Sequence, residues 1–377
     1  MKQWLRRGVA LVLAALTLVT VAAASDGSET RSGSAAKWLL QWSLGDWLPA
    51  DGLSLPAMLA LYQSPTLLAA HSEVSAAPQE APEAPQPPEP AEADTPAVSA
   101  PLPVTPRTAL AFQDNGVPSQ TVNITNKAGY TVVRGICIKN GSNKTLDAAA
   151  LAEEGFAAHL TDESPQVLIL HTHGSEAYTM PAGEEYEASG SYRTMDTTKN
   201  MIRVGDEIAA VLSRYGLSVL HDRQIHDTDY NSAYDKSYDS AAAYLEKYPS
   251  ISFVLDIHRD AISDADGNQY KVVSQEDPRA AQLSIIMGSN YDAWLSNLRL
   301  AVAVQSHLTH DHPTLMRPIT LRWYGYNQSL STGSLLVEVG AAGNSLDEAI
   351  YAARLFARGF AEALGCTEPG NLSSPSA

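Results

Sequence analysis

Short unbroken apolar runs alternate with helical periodicity through the second half of the chain. Val167-Leu-Ile-Leu170 lies between Pro165 and Gly174. It is too short for a helix and lacks the alternation of a half-exposed strand, so it reads as a buried strand of a parallel sheet. Asn200 to Tyr215 puts Ile202, Ile208, Val211 and Leu212 on one helical face, and Gly216 supplies the stop. Further on, the pattern predicts strands at 217–220, 251–257, 282–288 and 335–339. Helices are predicted at 235–248, ended by Pro249, and at 291–308 and 346–364, the last capped by Asn344 or Ser345. Strands and helices alternating at this spacing predict an α/β fold, a single mostly parallel sheet flanked by helices, in one domain over residues 162–367.

Upstream the pattern changes character. Lys2, Arg6 and Arg7 precede an apolar run from Gly8 to Ala24, which makes residues 1–27 a signal or anchor segment. The positive flank places the rest of the chain outside the cytoplasm. An uncleaved anchor is favoured over cleavage after Ala22-Ala-Ala24. Residues 28–70 carry Trp38, Trp42 and Trp47 among leucines and read as a membrane-proximal helical segment. Residues 71–107 hold ten prolines from Pro78 to Pro106 and no aromatic residue in that span. Such a composition cannot bury enough apolar surface to offset its ordering entropy, so it is a linker. Residues 108–161 form a lead-in, with Thr131-Val-Val strand-like and 146–159 helix-like. Residues 368–377 are a disordered tail.

Charge narrows the function classes. Lys and Arg number 25 against 42 Asp and Glu, a net charge of -17. A nucleic-acid binder needs a basic face to displace counterions, so that class is excluded. The two cysteines, Cys137 and Cys366, lack metal-site spacing, and sequence does not predict a disulfide between them.

Candidate chemistry gathers at strand ends. His171, His173 and Glu176 follow the 167–170 strand, His258 ends the 251–257 strand, and Glu338 lies within the 335–339 strand. Open α/β sheets place ligands at the carboxyl ends of their strands. His173 and Glu176 are three apart, so one helical turn aims both at a point. Two histidines and a glutamate are a ligand set of catalytic zinc that leaves a position for water, and His173, Glu176 and His258 are the predicted ligands. Glu338, set among Leu336-Val337 and Val339-Gly340, is costly to bury without a function. Its expected role is general base with a raised pKa. Alternation sends His171 to the same side as His173, as a substrate contact or a supporting neighbour. Arg317 and Asn327, in the 316–330 segment, are candidates to hold substrate carboxylates or carbonyls. His221, His226, His307, His310 and His312 are expected on surfaces or loops, with His226 in reserve as a ligand.

Asp256-Ile-His258-Arg-Asp-Ala261 and Leu336-Val-Glu338-Val-Gly-Ala-Ala-Gly-Asn344 resemble the later motifs of N-acetylmuramoyl-L-alanine amidases. Other segments resemble the stage II sporulation protein P family: His171-Thr-His-Gly-Ser-Glu-Ala-Tyr178, Arg193-Thr194 with Asn200-Met-Ile-Arg-Val-Gly-Asp206, Tyr326-Asn-Gln328 and Glu338-Val-Gly340. The resemblance covers roughly residues 160 to 366. It implies a zinc amidase- or carboxypeptidase-like fold and a membrane-tethered peptidoglycan amidase and endopeptidase. It also implies work in spore engulfment beside a lytic transglycosylase, the stage II sporulation protein D. The amidase comparison leaves the carboxylate ligand between Glu176 and Asp196, with Glu176 favoured for its fixed spacing. Two rival functions remain: a zinc carboxypeptidase or endopeptidase of peptide cross-links, and a non-catalytic wall-binding module.

Overall fold

The structure, a computed structural model, describes residues 109–368 apart from Glu154 and Ala265. The segments expected to be anchor, membrane-proximal helix and linker, and the tail beyond Glu368, lie outside the described residues. Ten strands and five α-helices are described: β1 Ser119–Gln120, β2 Thr131–Val133, β3 Ile136–Gly141, α1 Ala148–Glu153, β4 Val167–Leu170, α2 Met201–Arg214, β5 Val219–His221, α3 Ala233–Lys247, β6 Phe253–Asp260, β7 Lys271–Val272, β8 Leu283–Gly288, α4 Trp294–Asp311, β9 Ile319–Arg322, β10 Ser334–Ala341 and α5 Leu346–Ala363. Among the described residues, no helix is long and apolar enough to cross a membrane.

Eight strands form one sheet in the order β2-β3-β9-β8-β10-β6-β4-β5. Only β2–β3 and β8–β10 pair antiparallel; the other neighbours are parallel. The expected α/β architecture, a mostly parallel sheet with helices on both faces, is the observed one. Odd-numbered residues such as Val167, Ile169, Leu255, Ile257, Leu335 and Val337 join α2, α4 and α5 in the main core. Leu168, Leu170 and Val254 pack instead with Ala241 and Tyr244 of α3. Successive side chains of a strand point to opposite faces, so Asp256 and His258 share the α3 face with Val254.

The sheet extends past the predicted domain. β2 and β3 come from the stretch expected to be a lead-in, and Ile136 and Ile138 are core residues, so no boundary falls at residue 162 within the sheet. β9 was absent from the predicted strands because it is four residues long and ends in exposed Arg322. β6 runs on to Asp260, carrying His258 inside the strand rather than at its end. Asn200 caps α2 by accepting from Ile202 N, and Ser345, not Asn344, caps α5 in a capping box with Glu348. Cys137 and Cys366 are both free.

The functional consequence is register. β4, β6 and β10 are parallel neighbours. Leu170 stands beside Asp256, and Glu338 stands beside His258. Residues far apart in sequence therefore meet at one end of the α3 face.

Candidate metal centre

Beyond Leu170 the chain leaves the sheet and turns. Thr172 pins the turn by donating its N–H to Asp256 Oδ1 (2.9 Å) and its hydroxyl to Asp256 Oδ2 (2.7 Å). Glu176 N donates to His173 O at 3.1 Å, closing the one-turn spacing that aims both side chains at a point. His173, Glu176 and His258 each offer a ligand atom, all within 4.8 Å of one another, and all three residues are buried. His173 Nδ1 is 3.6 Å from Glu176 Oε1, and His258 Nδ1 is 3.7 Å from Glu176 Oε2. Ligands at about 2.0–2.2 Å from a tetrahedral ion stand about 3.4 Å apart, so the three donors fit a zinc ion with small adjustments. The far side of His258 supports this: its Nε2 lies 2.8 Å from Asp256 Oδ1, the carboxylate backing that orients a metal-ligating imidazole.

Electrostatics agree with a site shaped for a cation. Burial alone would raise the Glu176 carboxyl, but Arg259, His258 and His173 outweigh it and hold it down at about 2. Burial would lower His258, but Asp256 and Glu176 outweigh it and hold its pKa well above the usual value, so without metal a proton sits between two carboxylates. His173 is lowered by burial and by the His258 charge. Its ring stacks on Tyr230 at 4.8 Å and 10°, and meets Tyr234 edge-on at 5.6 Å. Arg193 covers Tyr230 at 5.1 Å and also reaches Glu176 Oε1 at 3.3 Å.

Glu338 is half-buried, with Oε2 shielded and lacking a hydrogen-bond partner among the described residues. Burial, then the nearby Asp260 charge, pushes its pKa up to about 8 against opposition from His258 and Arg317. A carboxyl held near neutrality beside a metal site is suited to accept a proton.

The three expected substrate contacts are all buried. His171 is fully buried: Nδ1 donates to Ile257 O (2.9 Å), leaving Nε2 to accept from His221 Nε2 at 2.8 Å. His221 Nδ1 faces Asp206 Oδ1 at 3.0 Å, and Asp206 also pairs with Arg223. His171 keeps the α2-facing side of Val167 and Ile169, against Gly205, and it is His173 that leaves that side after the turn at Thr172. Arg317 is buried against Asp260, its Nη1 2.6 Å from Oδ2, while its Nε and Nη2 have no hydrogen-bond partner among the described residues. Asn327 is buried and donates to Ser237 Oγ at 2.7 Å, tying its loop to α3. Asp196, the alternative carboxylate, is exposed and accepts from Thr198 N and Oγ1. Two histidines expected on surfaces or loops have buried side chains: His221 in the network just described, and His226, the reserve ligand, 3.0 Å from Asp222 Oδ2.

Sequence reasoning missed Asp256, Arg259, Tyr230 and Tyr234. Asp256 was findable, since it lies two residues before His258 on one strand and so shares its face. The aromatic residues carry no local signal, because they reach His173 only through packing of the 226–234 segment.

The His171–His221 pair exists only because α2 has no side chain at Gly205. A Cβ there would lie 2.5 Å from both Nε2 atoms. Gly205→Ala is therefore expected to lose about 2 kcal/mol, overpacking outweighing a helix-propensity gain of about 1 kcal/mol. The thermal midpoint should fall by roughly 4–8 °C. A raised midpoint, the ordinary result of Gly→Ala in a helix, would show that the pair does not occupy this space.

Residues 112–361 match the family model of stage II sporulation protein P. The chain belongs to that family. It is 24% identical over 230 residues to the stage II sporulation protein P of Bacillus subtilis (strain 168), covering 57% of this chain and 55% of that relative. The match thus spans little more than half of the relative's length. Among solved structures it is similar to N-acetylmuramoyl-L-alanine amidase AmiC2 of Nostoc punctiforme, with 14% identity, 54% of this chain and 96% of that one covered, and a TM-score of 0.31. It is also similar to the CwlD amidase of Clostridioides difficile in complex with the GerS lipoprotein, with 12% identity, 53% and 96% covered, and a TM-score of 0.35. At such TM-scores the likeness carries no argument about the site.

Proposed function

We propose that this member of the stage II sporulation protein P family is a zinc-dependent hydrolase of amide bonds in peptidoglycan stem peptides. Its chief target would be the bond from the lactyl group of muramic acid to L-alanine. The observation that carries the reading is the buried His173–Glu176–His258 donor set with Glu338 in register beside His258. The substrate class is supported by family membership and by the amidase-like segments around His258 and Glu338.

Zinc bound by these three residues would supply Lewis acidity, polarising the scissile carbonyl and activating water. The chain's own groups do the rest. Glu338 takes the proton of the attacking water on its carboxylate and passes it to the leaving amide nitrogen. Asp256 fixes the His258 ring, and Tyr230 and Tyr234 fix that of His173. Arg317 and Asp260 lie against Glu338 and set its charge balance. Export, anchoring through the amino-terminal segment, a role in spore engulfment and pairing with the lytic transglycosylase stage II sporulation protein D are parts of the same proposal.

Digestion of purified sacculi with mass and amino-terminal analysis tests it. The expected products are glycan strands stripped of peptide and stem peptides with a newly exposed L-alanine amine. Peptides cut only within cross-links would make the chain an endopeptidase. Binding to sacculi without any release, by zinc-loaded protein, would make it a wall-binding module.

A further inference from the structure

A series of aromatic rings leads from the metal centre to the surface, and the hydrolytic mechanism uses only its inner end. Ring centroids stand 5.6 Å apart from His173 to Tyr234, 6.0 Å from Tyr234 to Tyr326, and 6.1 Å from Tyr326 to Tyr324. The outer end is open, with Tyr324 51% and its neighbour Trp323 43% exposed. Large exposed aromatic side chains in an ordinary surface loop need no explanation. This loop is not ordinary.

Its backbone is fixed from below. Tyr324 O accepts from Ser289 N at 2.9 Å, and Arg322 O accepts from Ser289 Oγ at 2.9 Å. Buried Gln328 joins the loop to β8, its Oε1 accepting from Gly288 N (2.8 Å) and its Nε2 donating to Ile286 O (2.8 Å). Asn297 of α4 donates to Gln328 O and Ser331 O. The approach to β8 is so close that a Cβ on Gly288 would lie 2.4 Å from Tyr324 O. Tyr326 itself has φ of +49°, a left-handed conformation rare for a bulky side chain. Strain of this kind persists only where the surroundings over-determine it, and it clusters at ligand-binding sites. The fold thus fixes the backbone that carries Tyr324, the exposed end of an aromatic path to the catalytic centre, and its exposed neighbour Trp323.

We propose that Trp323, Tyr324 and Tyr326 form a saccharide subsite, on which pyranose rings of the glycan strand stack while the adjoining lactyl amide lies at the metal centre. The proposal rests on the hydrolase reading above. A muramoyl amide has a sugar on one side of the scissile bond and a charged stem peptide on the other. The apolar C–H face of an N-acetylated hexosamine suits a tyrosine or tryptophan face, and its hydroxyl and acetamido groups can reach the phenolic oxygens. A charged peptide would call instead for a row of cations. Rigid presentation lowers the ordering cost of binding.

The test compares two soluble substrates carrying the same stem peptide, one on a glycan oligomer and one on a lactyl group without sugar. In the full chain, Tyr324→Ala and Trp323→Ala are each expected to lower kcat/KM on the glycan substrate by about tenfold while leaving the sugar-free substrate unchanged. Equal loss on both substrates, or no loss on either, overturns the subsite. If wild-type protein cleaves neither, the hydrolase reading fails separately. Peptide-free glycan oligomers, titrated against tryptophan fluorescence, then decide the subsite. Binding that Tyr324→Ala abolishes supports it, and no binding by wild type overturns it.

Discussion

Glu338→Gln is expected to lower kcat for amide hydrolysis by about 10²- to 10⁴-fold, the usual contribution of a positioned acid–base group, while zinc binding is retained. Glutamine keeps the size and polarity of the side chain but cannot accept the proton of water. The same substitution has a consequence for stability whose sign is fixed by the pKa. Burial and the Asp260 charge raise Glu338 from 4.5 to about 8 in the folded, metal-free chain. Below pH 4.5 the carboxyl is protonated in both folded and unfolded chains and nothing is lost. As pH rises from 4.5 to 8 the unfolded chain releases its proton first, and folding loses about 1.4 kcal/mol per pH unit. Gln escapes this penalty. Metal-free Glu338→Gln protein should therefore melt above wild type at pH 8, with the two midpoints converging towards pH 4.5. A variant that hydrolyses at the wild-type rate would remove Glu338 from the mechanism. A variant that melts lower at pH 8 would remove the buried-acid account of it.

His173→Ala and His258→Ala are each expected to abolish stoichiometric zinc binding and, with it, hydrolysis. Each histidine supplies one of three protein donors gathered within 4.8 Å, and no further His, Cys, Asp or Glu joins that group among the described residues. A graded series makes the prediction sharper. Asp256→Asn keeps the shape that receives Thr172 N but loses the charge behind His258, and should weaken zinc binding by about 10- to 100-fold. Asp196→Ala, remote from the donors and bonded to Thr198, should leave affinity unchanged. Competition against a chromophoric chelator reads all four. Wild-type affinity in His258→Ala, or lost affinity in Asp196→Ala, would place the ion elsewhere. Zinc uptake should also displace the proton held by His258, so affinity should fall as pH falls.

Much of this arrangement was legible in the sequence because it depends on short-range rules. A four-residue apolar run marked β4 and a three-residue one, Phe253-Val-Leu255, marked β6, and three-residue spacing linked His173 to Glu176. An acid inside an apolar strand marked Glu338. What remained hidden depends on long-range packing. Whether β2, β3 and β9 join the sheet is decided by pairing across it, as Ile138 with Ile319, and no local pattern encodes that. His171 and His173 were expected on one side because alternation was carried on to His173, past the point where Thr172 turns the chain onto Asp256. Arg317 and Asn327 were expected to hold substrate carboxylates or carbonyls from the 316–330 segment, a placement that only packing decides. Both are buried, Arg317 paired with Asp260 and Asn327 bonded to Ser237 of α3. The aromatic path from His173 to Tyr324 unites residues from three separate segments and could not be seen until they were packed together.

The most direct measurement is an anomalous difference map at the zinc edge from crystals of the zinc-loaded chain. One peak is predicted, bounded by His173 Nδ1, a Glu176 carboxylate oxygen and His258 Nδ1, with Glu338 facing its open side. A peak on Asp196, a peak at the His171–His221 pair, or no peak in protein that cleaves peptidoglycan would contradict the account.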